Sequence, residues 1–220
     1  MDKLNMSPLS SILEGGFKEV AKSIYTAELI SKNHCNDLLL EVCDSQLWYQ
    51  AKIATAKKDN DGLNKIITIV DTNIRNANCI RLADLNLSDI PKSIQCLKHV
   101  QRIVGDFASS EFGLIFNEFG DAEVVRYSEG GMFKPHTDAH RENSHRAFTI
   151  IVYLNEDFIG GETYFPNLDY KCIPKSGLVL LFLSNELHSS LPIIEGKKNI
   201  IVFWGFYPGS IGRKNIKNFP

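Results

Sequence analysis

Two histidines and one aspartate stand where they could bind a metal ion together. His136 and Asp138 are separated by one residue, and side chains two positions apart in extended chain point to the same face. Such a triplet also fits a solvated loop. However, Gly130 and Gly131 precede it, and His188 follows the apolar run LVLLFLS 52 positions after His136. Two histidines and one carboxylate are the ligand set of non-haem iron(II) sites that keep positions open for other ligands.

A lysine ten residues after His188 could bind an anionic cosubstrate. In the segment KNIIVFW, strand alternation puts Lys198 on the same face as Ile200, Val202 and Trp204. A lysine at the end of an apolar face either extends its ammonium group to water or meets an anion. Beside an iron site with open positions, we expect that anion to be a dicarboxylate. Tyr127 and Tyr153 could donate hydrogen bonds to the same carboxylate.

The segments that must position these residues read mainly as short strands. After about residue 112, runs rich in Val, Ile, Phe and Tyr alternate with turns marked by glycine or proline: AEVVRYSEGG, RAFTIIVYLNEDFIGG, ETYFPN, GLVLLFLSN, LHSSLPIIEG and KNIIVFWGFYPG. Strands so closely spaced predict an antiparallel sandwich or barrel. A parallel α/β fold would need helical segments between the strands, and none is visible.

The part of the chain before residue 112 is predicted to be mainly helical. Ser31 is a suitable N-cap for a helix over KNHCNDLLLEVCD, and a second helix begins near Pro91 and runs through KSIQCLKHVQRIVGDFAS. Between them, AKKDNDGLNK predicts a polar loop and KIITIVD a short strand. We therefore divide the chain into a helical part with early strands at 1–111, a core at 112–208 and a tail at 209–220, which we expect to form one structural domain.

Composition excludes several classes of function. The 220 residues carry 24 basic and 26 acidic side chains, so the formal charge of -2 offers no general attraction for nucleic acid or an anionic membrane. No apolar run approaches the ~18–20 residues of a membrane-spanning helix, and the first residues lack the apolar core of a secretory signal. Five scattered cysteines predict thiols in a reducing compartment. We expect a cytoplasmic protein with neither nucleic-acid nor membrane partners.

Several motifs together resemble a known enzyme family. RYSEGGMFKPHTD, RAFTIIVYLN, GGETYFP, the spacing H-x(9)-K and a closing tryptophan are similar to the iron(II)/2-oxoglutarate dioxygenases, and within them to the prolyl 4-hydroxylase-like branch. The resemblance covers residues 112–208. More weakly, NIRNANCIRL resembles the R-x-S segment beside the active-site mouth of that branch. The implied fold is mainly β with flanking α-helices, around a double-stranded β-helix core of the jelly-roll or cupin-like type.

The resemblance also implies roles for residues on the metal and cosubstrate side. The two histidines and the aspartate match the iron ligands, and Lys198 matches the residue that binds the distal carboxylate of 2-oxoglutarate. Tyr127 and Tyr153 match tyrosines on the cosubstrate side, and Thr149 lies on the same strand face as Tyr153. The implied cofactors are iron(II), 2-oxoglutarate as cosubstrate, O2 and L-ascorbate.

On the substrate side, Arg146 and Trp204 match residues near the substrate, and Arg75 belongs to the segment at the mouth. The implied reaction is hydroxylation of an unactivated C–H group, first of all in a prolyl residue of a peptide or protein, with release of succinate and CO2. Phe133 departs from the tyrosine that the branch often has at this position. Hydroxylation of a free amino acid or a peptide natural product stays open as the alternative, and a non-catalytic jelly-roll module that binds a metal or a sugar is the third reading.

Overall fold

The computed structural model describes residues 16–58, 61, 64–86, 88–113, 115–116, 118–139 and 143–210. Within these residues lie two α-helices, α1 (Lys32–Val42) and α2 (Pro91–Phe112), and one 3-10 turn at Leu82–Asp84. Neither helix has the length and apolarity needed to cross a membrane. Most of the predicted tail at 209–220 and the first fifteen residues lie outside the described ranges.

The strands are short, and every strand pairing among the described residues is antiparallel. The strands before α2 are β1 (Lys18–Ala21), β2 (Ile24–Glu28), β3 (Tyr49–Gln50), β4 (Ile53–Lys58), β5 (Asn64–Ile69), β6 (Arg75–Asn76) and β7 (Asn78–Arg81). Those after α2 are β8 (Glu123–Tyr127), β9 (Met132–His136), β10 (Arg146–Tyr153), β11 (Phe158–Gly160), β12 (Thr163–Phe165), β13 (Tyr170–Cys172), β14 (Leu178–Leu183), β15 (His188–Ser190), β16 (Ile193–Gly196) and β17 (Lys198–Phe206).

Two sheets form a sandwich. The larger sheet has eight strands in the order β1-β2-β14-β10-β17-β8-β7-β3, and the smaller has five in the order β13-β12-β15-β9-β6. Strands distant in sequence, such as β10 and β17, are neighbours in the larger sheet, as a jelly roll requires. An apolar cluster that contains Val125, Ile151 and Phe182 from the larger sheet and Phe165 from the smaller fills the space between them. This architecture confirms the predicted mainly β fold with a double-stranded β-helix core.

The central strand β10 separates two environments. Phe148, Ile150 and Val152 belong to the apolar cluster that also contains the buried residues of α1 and α2, so the helices cover the outer face of the larger sheet. Ile151 and Tyr153 belong to the cluster between the sheets. This period-2 alternation follows from strand geometry. A polar side chain at position 149 therefore faces the interior of the sandwich.

Helix α2 is held at its start by a carboxylate from α1. Pro91 occupies the first turn, and the N-cap position offers no side-chain hydrogen bond. Instead, the carboxylate of Glu41 accepts hydrogen bonds from the backbone N–H groups of Lys92 and Ser93, both at 2.8 Å, and from the Ser93 hydroxyl at 2.6 Å. Glu41 thus satisfies N–H groups that the helix itself leaves without partners. The same contact joins the two helices.

The predicted helices are confirmed. In α1, Ser31 is the N-cap, and its Oγ accepts a hydrogen bond from the N–H of His34 at 3.3 Å. Helix α2 begins at Pro91 as predicted and continues to Phe112, slightly beyond the predicted end. The strand predicted in KIITIVD is β5. All five cysteines are free thiols, four of them buried and Cys43 half-buried.

The early part of the chain holds more strand than the sequence indicates. Seven strands precede α2 in the part of the chain that the structure describes, and β1, β2, β3 and β7 belong to the larger sheet. These four strands were hard to predict because each has two to five residues, too few for an alternating pattern to stand out. The predicted loop AKKDNDGLNK is also shorter than expected, since Lys57 and Lys58 end β4, which pairs with β5. The division at residues 111 and 208 stays a prediction.

Candidate active site

The three predicted metal ligands come together inside the sandwich. His136 ends β9 and His188 begins β15, and the two residues are directly paired across the smaller sheet. Asp138 lies two residues beyond the end of β9. Its carboxylate oxygens lie 3.6 Å from Nε2 of His136 and 3.6 Å from Nε2 of His188. Among the described residues these three form the one group of potential ligands that could hold a metal ion, with all ligand atoms within 4.8 Å of one another.

Backbone carbonyls fix the orientation of both imidazole rings. Nδ1 of His136 lies 2.8 Å from the carbonyl oxygen of Lys134, and Nδ1 of His188 lies 3.0 Å from that of Glu186. A carbonyl oxygen can only accept, so each Nδ1 carries a hydrogen, and in a neutral ring Nε2 then keeps its lone pair. Metal-binding histidines in proteins are held in the same way. The two Nε2 atoms are therefore ready to bind a metal without a change of tautomer.

The protonation states also suit a metal ion. Burial lowers the pKa of His188 to about 4, although the nearby Asp138 opposes that shift, so the ring is neutral at physiological pH. Burial tends to raise the pKa of Asp138, but His188, His136 and a hydrogen bond from Thr149 outweigh burial and hold it well below its usual value. The cluster thus presents a neutral imidazole at His188, the imidazole of His136 and one carboxylate. This donor set fits iron(II) with positions left open for other ligands.

Thr149 contacts the aspartate directly. Its hydroxyl donates a hydrogen bond to Oδ2 of Asp138 at 2.7 Å and lies 3.0 Å from the hydroxyl of Ser184. Thr149 also lines the central cavity. The sequence places Thr149 on the cosubstrate side, and the structure adds a contact with a predicted metal ligand. Ser184 was not predicted, because it lies just after β14 and its neighbours in sequence suggest only a turn.

Lys198 also lines the central cavity. Its side chain is 1% exposed, so it does not extend to water. Nζ donates hydrogen bonds to the carbonyl oxygen of Gly161, at 2.7 Å, and to the hydroxyl of Ser190. Burial lowers the pKa of the ammonium group to about 7, while the charge of Glu162 partly opposes that shift. A buried cation with only neutral hydrogen-bond partners is suited to receive an anion.

Ser190 and Gly161 are two further residues that contact Lys198. Ser190 is two positions after His188 on β15, and the alternation of side chains could have identified it as a neighbour of the metal ligands. Gly161 has a φ of +73°, a left-handed conformation that favours glycine. A Cβ at position 161 would also collide with the side chain of Ile193. The glycine therefore lets the chain turn so that its carbonyl reaches Lys198.

The two predicted tyrosines differ in their access to the cavity. Tyr127 lines the cavity, and its ring lies beneath Nζ of Lys198 at 4.5 Å from the ring centre. Burial raises the pKa of Tyr127 to about 12, which keeps the hydroxyl protonated and able to donate. The hydroxyl of Tyr153 instead forms a hydrogen bond of 2.7 Å with the hydroxyl of Thr163. Thr163 lines the cavity in front of it, so Tyr153 supports the wall.

Two arginines that line the cavity are stacked on aromatic rings. The guanidinium of Arg146 lies 3.6 Å from the ring centre of Trp204, and that of Arg75 lies 5.0 Å from the ring centre of Phe133. Phe133 in turn stacks on His136 with 3.5 Å between ring centres. Arg75 is only 14% exposed and lies 3.8 Å from the carboxylate of Glu123. It is therefore part of the cavity wall and not a surface charge.

These predicted substrate-side residues have hydrogen-bond donors to spare. Nε of Arg75, Nε of Arg146 and Nε1 of Trp204 are buried and have no hydrogen-bond partner among the described residues. All three side chains line the same cavity of about 790 Å³ as the triad and Lys198. A cavity of this size suits a small molecule or part of a peptide. Buried donors without partners indicate a ligand with acceptor atoms.

Comparisons with known proteins agree with this geometry. Residues 122–206 match the model of the 2OG-Fe(II) oxygenase superfamily. The chain is 33% identical over 115 residues to a putative prolyl 4-hydroxylase of Acanthamoeba polyphaga mimivirus, and the match covers 43% of this chain and 48% of that protein. It is 30% identical over 133 residues to a probable prolyl 4-hydroxylase 6 of Arabidopsis thaliana, covering 45% and 46% respectively. The chain thus spans about half the length of the curated relatives it matches.

Solved structures show the same fold. A Pseudomonas putida prolyl-4-hydroxylase superposes with a TM-score of 0.66 at 16% identity, covering 85% of this chain and 94% of that one. A Trichoplax adhaerens prolyl hydroxylase in complex with a fragment of a hypoxia inducible factor gives 0.67 at 15% identity, covering 89% and 88%. The predicted resemblance to iron(II)/2-oxoglutarate dioxygenases of the prolyl 4-hydroxylase-like branch is therefore confirmed.

Proposed function

We propose, from the similarity of residues 122–206 to 2OG-Fe(II) oxygenases, that the protein is an iron(II)- and 2-oxoglutarate-dependent hydroxylase. The substrate is a C–H group of a prolyl residue in a peptide or protein. In the overall reaction, O2 and 2-oxoglutarate convert R–H to R–OH with release of succinate and CO2. One observation carries the proposal: a His-Asp-His triad and a buried lysine line one cavity.

The triad supplies a binding site for iron(II). His136 and His188 offer Nε2 lone pairs, and Asp138 offers an ionised carboxylate that neutralises part of the metal charge. Iron, when bound, supplies the activation of O2 that a protein side chain cannot perform. Three protein ligands leave coordination positions for 2-oxoglutarate and O2, whereas four would close the site, as in structural zinc sites.

Lys198 and its neighbours provide the site for the cosubstrate. The distal carboxylate of 2-oxoglutarate pairs with Nζ of Lys198, which contacts the hydroxyl of Ser190 and lies over the ring of Tyr127. Thr163, supported by Tyr153, forms the adjacent wall. In this cavity the ion pair would be shielded from water. The pairing therefore contributes more to binding than it would at the surface.

The substrate binds on the side of the two arginines. The unpartnered N–H groups of Arg146, Arg75 and Trp204 are suited to the carbonyl oxygens of a peptide. A prolyl residue as the target is supported by similar proteins that are described as putative or probable prolyl 4-hydroxylases, from mimivirus and Arabidopsis thaliana. A free amino acid or a peptide natural product is the alternative, because two guanidinium groups could also receive a free carboxylate. We include L-ascorbate in the proposal as the reductant that keeps the metal as iron(II).

The experiment that tests the function measures succinate and product together. The protein is incubated with iron(II), 2-oxoglutarate and ascorbate, and with either proline-containing peptides or free amino acids. We expect succinate formation and a mass gain of one oxygen atom in a peptide. Oxygen incorporation only into a free amino acid would support the alternative. Absence of succinate with every substrate, together with normal metal binding, would support the non-catalytic module and overturn the proposal.

A matched pair of variants accompanies that experiment. His188→Ala removes one ligand and should abolish succinate formation. His34→Ala replaces a half-buried histidine of α1, far from the cavity lining, and should leave the yield unchanged. Equal loss in both variants would show that the measured activity does not depend on the triad.

A further inference from the structure

We propose that Ser184 and Thr149 form a hydrogen-bond relay that fixes the orientation of the Asp138 carboxylate and thereby sets the affinity of the site for its metal. Both are positioning residues, because they act through Asp138. The inference rests on the proposed metal site, and it goes beyond the roles that the resemblance assigns. It concerns a residue, Ser184, that no sequence motif singled out.

Asp138 needs such support because it lies outside the strand ladder. Strand β9 ends at His136, so no pairing within the smaller sheet holds the residue two positions further on. Instead, the carbonyl oxygen of Ser184 accepts hydrogen bonds from the backbone N–H groups of Asp138, at 2.8 Å, and Ala139, at 2.7 Å. Ser184 follows β14 in the larger sheet. A residue of one sheet therefore holds the backbone of a ligand that extends from the other.

The side-chain hydrogen bonds have only one consistent direction. A carboxylate that binds a metal is ionised and can only accept hydrogen bonds. The single hydroxyl hydrogen of Thr149 must then point to Oδ2 of Asp138, at 2.7 Å. Thr149 can therefore only accept in its 3.0 Å contact with Ser184, and the Ser184 hydroxyl donates. The relay runs from Ser184 through Thr149 to the carboxylate.

The surroundings of the relay make each hydrogen bond consequential. Thr149 and Ser184 are both 0% exposed, so the loss of either hydroxyl would leave its partner in a buried site. Successive hydrogen bonds of this kind strengthen one another in a low-dielectric interior. The bond to Oδ2 fixes the rotation of the carboxylate about its last side-chain bond. A fixed carboxylate does not lose rotational freedom when the metal binds, so the metal should bind more tightly.

Two substitutions at position 149 separate hydrogen bonding from packing. Thr149→Val keeps the shape and removes the hydroxyl, whereas Thr149→Ser keeps the hydroxyl and removes the methyl group. Co(II) serves as the probe, and its visible absorption is followed during titration of the whole protein. We expect Thr149→Val to weaken Co(II) binding by about tenfold to a hundredfold, which is usual for residues that support metal ligands, and Thr149→Ser to bind within about threefold of wild type. Weak binding by Thr149→Ser and normal binding by Thr149→Val would show a packing role and overturn the relay.

A double-mutant cycle tests whether the Ser184 hydroxyl acts on Asp138 through Thr149. Ser184→Ala removes the donor to Thr149 but keeps the backbone carbonyl that holds Asp138, so its effect should be smaller than that of Thr149→Val. In a Thr149→Val background, Ser184→Ala should have no further effect, because its route to Asp138 is already absent. An equal loss of Co(II) affinity in both backgrounds would overturn the relay. Thr26→Val, in β2 and away from the cavity lining, is the control for loss of a hydroxyl in the larger sheet and should bind Co(II) as wild type does.

The titration also separates this inference from the proposed function. If the wild-type protein binds Co(II) but forms no succinate, the catalytic proposal fails while the relay is still supported by the variants. If all variants bind Co(II) equally, the relay is overturned even when the wild-type protein is an active hydroxylase. If the wild-type protein does not bind Co(II) at all, both fail.

Discussion

Lys198 and Tyr127 lie directly opposite each other on β17 and β8, and Nζ of Lys198 is 4.5 Å from the centre of the Tyr127 ring. The face of the ring is electron-rich and attracts the ammonium group. Even so, burial lowers the pKa of Lys198 to about 7, so the attraction offsets only part of the cost of burying the charge. The position becomes fully favourable for a cation only when an anion joins it.

Removal of Lys198 should impair cosubstrate binding and spare the metal. Truncation of one partner of a buried charge pair costs about 2–5 kcal/mol. At 1.4 kcal/mol per tenfold, Lys198→Ala should weaken apparent 2-oxoglutarate binding by roughly 30- to 3,000-fold, with Co(II) affinity unchanged. The measurement is a 2-oxoglutarate titration at saturating iron, read as succinate formed. Lys197→Ala, an exposed neighbour, is the matched control, and overlapping curves for the two variants would rule out the cosubstrate role.

The affinity for 2-oxoglutarate should depend on pH in a defined direction. An anion beside Lys198 raises the pKa of its ammonium group above the value of about 7 in the free protein, so binding takes up a proton. Affinity should be constant below pH 7 and fall above it by up to about tenfold per pH unit, until the pKa of the complex is reached. Calorimetric titrations in buffers of different ionisation enthalpy would measure the proton uptake. Lys198→Arg should lose this dependence, because guanidinium stays charged throughout, and a pH-independent wild type would contradict the assignment.

The triad should be essential for metal binding but not for folding. His188→Ala leaves two ligands and removes a neutral imidazole from the site, so Co(II) binding should fall below detection. The apolar clusters on both faces of the larger sheet are untouched. The metal-free variant should therefore unfold within a few degrees of metal-free wild type when circular dichroism is followed with temperature. A variant that binds Co(II) normally would assign the metal to other residues.

Arg146 should act on the substrate and not on the cosubstrate. Its guanidinium is stacked on Trp204 at 3.6 Å, and an ammonium group cannot reproduce a planar stack. A desolvated cation–π contact contributes about 2 kcal/mol, so Arg146→Lys should raise the KM for a peptide substrate by about 30-fold with little change in the KM for 2-oxoglutarate. The control is Arg126→Lys, since Arg126 stacks on Trp48 at 4.2 Å away from the cavity lining. Equal effects of the two substitutions would point to a general loss of stability.

Glu41 should matter for stability alone. Its carboxylate holds the first turn of α2 through three hydrogen bonds. Loss of a helix cap typically costs about 0.5–2 kcal/mol. We expect the cost of Glu41→Ala to lie near the upper end of this range, because the substitution also removes a contact between α1 and α2. Urea denaturation would measure the free energy of unfolding. Asp44→Ala, an exposed acidic residue just after α1, should change it by less than about 0.5 kcal/mol.

The clustering of the proposed metal ligands and of Lys198 around one cavity could be predicted from the sequence, because strand ends and alternation place them. Each lies at the end of a strand or two residues beyond it, and the apolar runs that define β14 and β17 are unambiguous. By contrast, β9 was not predicted, although it carries His136. It contains Lys134 and Pro135 and is not buried on either face, so neither composition nor alternation reveals it.

Contacts between distant strands could not be predicted. Thr149 pairs with Phe182 across β10 and β14, which brings Ser184 diagonally next to Thr149. That neighbourhood depends on the register of the two strands, and register is set by the whole sheet and not by the local sequence. The helix cap by Glu41 is similar, because it depends on how α1 and α2 pack. The sequence therefore reveals the side chains that perform chemistry more readily than those that hold them in place.

The pairing of His136 with His188 also has a consequence for the lifetime of the protein. The two residues are 52 positions apart in the chain, and only the folded sandwich brings them together. An unfolded chain has no assembled site, so a metal that binds the proposed triad would bind only the native state. It would add its binding free energy to the stability of the fold, about 1.4 kcal/mol for each tenfold excess over its dissociation constant. A difference of this size changes the population of unfolded molecules that proteases can degrade. The abundance of this protein in a cell should therefore rise and fall with the supply of iron.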